Sequence, residues 1–159
     1  MADNPNQRDL DILRQVLQQA YHNRQQGGRP FAACVADEGE IISQGVNSIH
    51  ATQDLSAHAE MEAIRACCRS RQQATLQGLT IYASGHPCPM CLAAIVAGNA
   101  KQVFFAFANA DAAPYGLSSE GTYQRLGLRL QPPPLPITRL DVGISAAQLY
   151  GDAPWPQNS

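Results

Sequence analysis

Leu10, Leu13 and Leu17 recur three and four positions apart, and Ala20 and Tyr21 follow three and four after Leu17. That spacing describes an amphipathic helix with one apolar stripe. Asn4-Pro5 has the composition of its start, asparagine as cap and proline at the first helical position. Asp9 and Asp11 suit the positive end of the helix dipole and Arg24 the negative end. Gly27-Gly28 stops the helix. The pattern then changes: Phe31 to Ala36 is a short apolar run, Asp37-Glu38-Gly39 a turn, and Glu40 to Asn47 the returning strand of a hairpin.

Residues 48–55 are polar and read as a loop. Ser56 is expected to cap a helix through about Arg71, whose Ala59, Ala63, Ala66 and Cys67 suit close packing on a sheet. Leu79 to Ser84 is the next strand, Cys88 to Ala97 a helix stopped by Gly98, and Lys101 to Ala108 a phenylalanine-rich strand. Beyond that the signal weakens. Residues 109–122 are loop-like, and 119–126 read as a short helix. Pro132-Pro133-Pro134 is a stiff connector. Ile137 to Leu140 reads as a last strand, Ser145 to Tyr150 as a last helix, and the tail with Trp155 as irregular. No repeat or second boundary interrupts residues 1–159, which read as a single domain. Its element order implies a mixed sheet between two helical layers, an α/β/α sandwich.

Composition narrows the partners. Apolar residues make up 45% and charged residues 15%, which excludes a disordered chain. No apolar run reaches bilayer length, and the polar N-terminus is no secretory signal, so a cytoplasmic location is expected. Five cysteines, an odd number, argue against a disulfide framework. Cys34 and Cys67 sit in apolar patterns and read as buried small hydrophobes. The net charge is −2, with Lys101 the one lysine and the arginines scattered apart from Arg65, Arg69 and Arg71. This is not the footprint of a strong nucleic-acid binder, and a small-molecule partner is expected, with no membrane.

The chemistry is concentrated in His58-Ala59-Glu60 and Pro87-Cys88-Pro89-Met90-Cys91. One imidazole and two thiols are three good zinc ligands, and three protein ligands leave a fourth position for water. Cys88 and Cys91 are three apart on one helix face, at an N-terminus whose dipole favours thiolates. Glu60, two residues from His58, is a carboxylate able to move the water's protons. A purely structural zinc would need a fourth side chain, for which His86 is the candidate.

These two motifs resemble the zinc-binding signature of the cytidine deaminase superfamily. The likeness spans about residues 10–125, including Pro30-Phe31 and Gly45-Val46-Asn47. Within the superfamily, Pro-Cys-Pro-Met-Cys-Leu and Asp111-Ala112-Ala113 look closest to bacterial guanine deaminases. The segment from about residue 128 matches poorly. The resemblance implies a central mixed five-stranded sheet flanked by helices, one zinc per chain on His58, Cys88 and Cys91, and Glu60 as proton shuttle. It implies hydrolytic deamination of a nucleobase, guanine or a related 2-amino heterocycle, with release of ammonia. It also implies Asn47 at the substrate beside Ala59 of the motif, Asp111 as the acid reading a 2-amino group, and a homodimer. Phe31 and Tyr115 are candidates either for stacking on the base or for core and lid packing. Deamination of tRNA adenosine or of cytosine and cytidine remain open alternatives, as does a non-catalytic zinc-stabilised binding protein. His86 stands where family members commonly carry glutamate. Tyr150 or Trp155 either covers the active site or belongs to a loose tail.

Overall fold

The computed structural model describes residues 5–157. Helix α1 (Gln7–Gln25) starts on a reciprocal cap: Asn6 accepts from the Asp9 N–H, and the Asp9 carboxylate accepts from the Asn6 N–H. The expected cap, Asn4, lies outside the described residues. Helix formation begins later than expected because the Asn6 and Asp9 pair satisfies two otherwise orphaned amides. The second Asp9 oxygen accepts from the Tyr82 hydroxyl at 2.5 Å, tying this helix end to the middle of the sheet.

Strands β1 (Ala32–Asp37) and β2 (Glu40–Val46) form a hairpin across Glu38 and Gly39, both at positive φ. That two-residue turn matches the right-handed twist of the strands. A short helix α2 (Ile49–Thr52) occupies the segment expected to be a plain loop. Helix α3 (Ala59–Arg71) is capped at His58, not Ser56. Both the hydroxyl and the N–H of Ser56 donate to Asp54 Oδ1, so an Asp turn has claimed the residue read as a cap.

Strand β3 (Thr80–Gly85), helix α4 (Pro89–Ala97) and strand β4 (Gln102–Phe107) follow as a parallel crossover unit. After β4 come α5 (Asn109–Ala112), a 3₁₀ turn at Ala113–Tyr115, α6 (Glu120–Leu126), β5 (Ile137–Arg139) and α7 (Ala146–Tyr150). The sheet order is β2-β1-β3-β4-β5, with β1 antiparallel to both neighbours and β3, β4 and β5 parallel.

Alternation along the strands divides the core. Ala33, Val35, Ile81, Ala83 and Val103 face α3 and α4. Cys34, Tyr82, Phe104 and Ala106 face α1 and the segment 140–150. The small residues of α3 serve their expected purpose. A Cβ at Gly45 would lie 2.5 Å from both the Ala59 carbonyl oxygen and the Ala63 nitrogen, so the first turn of α3 rests directly on the β2 backbone. Among the described residues no helix is long and apolar enough to cross a membrane.

Candidate active site

One edge of the sheet collects the end of β2, the start of β1 and the C-terminal ends of β3 and β4. Helices α3 and α4 begin at this edge, so their amide-rich N-termini converge there. His58 is extended (φ −72°, ψ 155°), not helical. That frees the imidazole and Glu60, two residues on, from the opposed directions a regular helix would impose. Cys88 caps α4, with its sulfur accepting from the Cys91 N–H at 3.5 Å, and Pro89 starts the helix.

The three expected ligands meet. His58 Nδ1 lies 3.4 Å from Cys88 Sγ and 3.7 Å from Cys91 Sγ, and all three ligand atoms are within 4.8 Å of one another. Zinc bonds of about 2.3 Å to sulfur and about 2.0 Å to nitrogen put tetrahedral ligands roughly 3.5–3.8 Å apart. The donor set and its spacing therefore fit one zinc. Hydrogen bonds from Cys91 and His58 lower the Cys88 thiol below its usual range, which readies a thiolate. Its hydrogen bond to Cys88 raises the His58 imidazole.

Glu60 stands beside this cluster without joining it. It is 8% exposed, and burial together with the charge on Cys88 pushes its carboxyl up to about 7. A cavity of about 540 Å³ opens in front, lined by Phe31, Asn47, His58, Ala59, Glu60 and His86 among others. The Asn47 side-chain oxygen accepts from the Ile49 N–H at 3.2 Å, which leaves its amide NH₂ uncommitted on that side. Leu55 (80% exposed) and Arg29 also belong to the lining, and neither was singled out in the sequence.

His86 is not a fourth ligand. Its Nδ1 meets the Pro87 carbonyl at 3.0 Å, and its ring sits edge-on to Phe105 and Tyr123. Burial lowers its basicity. The Tyr123 hydroxyl donates to the same Pro87 carbonyl, so α6 braces the loop that carries Cys88. Nothing local in the sequence around residue 123 announces that role.

Two expected substrate residues are not part of the cavity lining. The Asp111 carboxylate accepts from the Ala108 N–H at 2.8 Å and pairs with Arg139 at 3.1 Å, holding the start of α5. Tyr115 follows the same turn and faces Tyr150, with ring centroids 5.8 Å apart. The C-terminal segment is no loose tail. Tyr150 packs behind the cavity against Phe31 and Phe107, while Trp155 stacks on Tyr21 of α1.

A family model for the cytidine and deoxycytidylate deaminase zinc-binding region matches residues 6–107. The chain belongs to this deaminase family. It is 38% identical over 99 residues to guanine deaminase of Bacillus subtilis, covering 62% of this chain and 64% of that one. It is 37% identical over 94 residues to the tRNA-specific adenosine deaminase of Aquifex aeolicus, covering 59% and 62%. These matches span a little over three fifths of each relative's length. The solved structure of the Bacillus subtilis guanine deaminase superposes with a TM-score of 0.72 at 32% identity, covering 83% of each chain. The deaminase fold thus extends past the matched zinc-binding region into the C-terminal part of the chain.

Proposed function

We propose that this protein is a zinc-dependent aminohydrolase that removes an exocyclic amine from guanine or a related 2-amino heterocycle and releases ammonia. The observation that carries the reading is Glu60, a buried carboxyl on the wall of a cavity with room for a base, beside the zinc triad yet outside it. His58, Cys88 and Cys91 would hold a zinc ion, and the chemistry it would supply there is acidification of a water at neutral pH. Glu60 then takes a proton from the attacking water and delivers protons to the ring nitrogen and the departing amine. Its raised pKa suits a group that must both accept and return a proton. The Asn47 amide serves as donor to a ring carbonyl, and Phe31 offers an aromatic face.

Guanine is favoured by the likeness to the Bacillus subtilis guanine deaminase, which extends over most of both chains. The tRNA adenosine reading has comparable sequence identity behind it. Against it stand a net charge of −2 and a cavity lining in which Arg29 is the one permanent cation. In the guanine reading Asp111 must exchange Arg139 for substrate, and an Asp111→Asn variant with unchanged KM for guanine would assign the carboxylate to holding α5 alone. The working unit is taken as a homodimer acting on a small molecule.

The test is ammonia release by the zinc-loaded protein from guanine, with cytosine, cytidine, adenosine and a tRNA anticodon stem in parallel. Guanine is expected to be the best substrate. Glu60→Ala is expected to keep its zinc and lose about 10²–10⁴-fold in rate. Full activity in that variant would sink the proton-shuttle assignment, and preference for the tRNA stem would sink the guanine reading.

A further inference from the structure

Asn23 is a polar residue on an apolar stripe, three positions after the fully buried Ala20 and itself only 9% exposed. Its side-chain amide has two hydrogens to give. One goes to the Arg29 carbonyl at 2.7 Å and the other to the Asn47 carbonyl at 2.9 Å. Both acceptors belong to residues lining the cavity, but they sit on different segments. Arg29 is in the connection from α1 to β1, and Asn47 follows the end of β2.

The two segments are cross-linked beyond this amide. The Asn47 N–H donates to the Phe31 carbonyl at 3.0 Å, and the Phe31 N–H donates to the Arg29 carbonyl at 2.8 Å. On the other side, the Ser48 N–H donates to the carbonyl of Ala57, the residue before His58, at 2.9 Å. A line of hydrogen bonds therefore runs from α1 through the base-binding wall to the zinc ligand. Gly28 makes room for it: a Cβ there would come within 2.7 Å of the Asn23 side-chain nitrogen and of His50.

We infer that Asn23 is a positioning residue for the substrate wall, one amide holding the Arg29 and Asn47 carbonyls so that Asn47 and Phe31 present themselves to the base in fixed register. The link to substrate rests on the proposed roles of Asn47 and Phe31. The alternative is an amide that merely satisfies two buried carbonyls and leaves recognition untouched.

Two variants reach the brace independently. Asn23→Ala removes it, and Gly28→Ala displaces it without altering Asn23, so one can be read if the other fails to fold. In zinc-loaded protein both are expected to keep one zinc per chain. KM for guanine, or for the best base of the panel, should rise about tenfold or more while kcat changes less than about threefold. Adding Asn23→Ala to an Asn47→Ala background should raise KM by less than it does in the wild type, because one of the two contacts through which the brace acts is already removed and only Phe31 remains. Unaltered KM, or full additivity in that background, would overturn the role in recognition.

Amide hydrogen exchange separates this inference from the substrate assignment. Exchange at Phe31 and Asn47 should accelerate at least about tenfold in either variant, with Leu92 of α4 unchanged. No acceleration overturns the brace whatever the substrate is. Acceleration with unchanged KM upholds the brace and counts against Asn47 as a base contact.

Discussion

The ends of α3 and α4 that carry the zinc ligands are held chiefly by contacts within the motif and with neighbouring backbone. Cys88 caps its own helix, His58 is the extended residue before another, and the Gly45 backbone lies against the first turn of α3. The segment from 141 to 155 is held by side chains from far away in sequence. Arg24 donates to the Leu149 and Gly151 carbonyls, Arg14 donates to the Val142 carbonyl, and Tyr21 stacks on Trp155. The first arrangement is set mostly within the motif, with Tyr123 as a support from outside it. The second exists only after α1 has docked. Chemistry is entrusted to the first region, and the second closes the core behind it.

The strongest challenge to this contrast is to break the metal cluster. Cys88→Ala removes a ligand and the cap of α4 together, and zinc content is expected to fall below about a tenth of an ion per chain. Deamination should drop about 10³-fold or more, since the cluster supplies the nucleophile. Chelation of the wild type should do the same and also lower its melting temperature, because metal binding adds to folding free energy. Metal analysis and thermal melts read both. If hydrogen exchange in residues 141–155 rises along with that in α3 and α4, the two regions are not independent and the contrast fails.

Tyr123 tests a side-chain support of the first region that comes from outside the motif. It sits on α6, in the stretch with weak sequence signals, yet donates to Pro87 beside the Cys88 cap. Tyr123→Phe keeps the ring against His86 and deletes only that donor. Removing one hydrogen bond to a buried carbonyl costs about 1–2 kcal/mol. Loss of support behind a metal ligand typically weakens affinity 10–100-fold, so competition with a chelator should show zinc held about tenfold less tightly. Zinc affinity equal to the wild type would mean that the two cap geometries alone hold the ligands, which would sharpen the contrast.

The same division explains what could be read from the sequence. The four residues of the motif were legible because short spacings fix their relation: cysteines three apart at a helix start, and a carboxylate two after the imidazole. Strands β1 to β4 were legible as apolar runs between turn residues. Ser56 misled because Asp54, two residues earlier, takes its hydroxyl. Asp111 was read as a substrate acid from its likeness to guanine deaminases, and its pairing with Arg139, on a strand beyond α6 in sequence, left no local trace. Asn23 left a trace, a polar residue on an apolar stripe, but its meaning needed the position of two distant carbonyls. Tyr123 left none, since its bond depends wholly on where α6 lands.

The smallest expected effect comes from the far end of the chain. The Trp155 ring lies nearly parallel to Tyr21, with centroids 4.2 Å apart and planes inclined by 6°. Neither residue is part of the cavity lining around Glu60. Trp155→Ala forfeits the stacking, worth about 0.5–1.5 kcal/mol, along with part of a half-buried surface. The expected result is a melting temperature lower by a few degrees, with zinc content and KM unchanged. Tyr150, five residues earlier, sets the limit of that independence, because its ring touches Phe31, which does line the cavity. A Trp155→Ala variant that raises KM for base while melting normally would mean that the tail's anchorage on α1 is transmitted through Tyr150 and Phe31 to the substrate wall. The C-terminal segment would then be part of the recognition apparatus and not only the cover of the core.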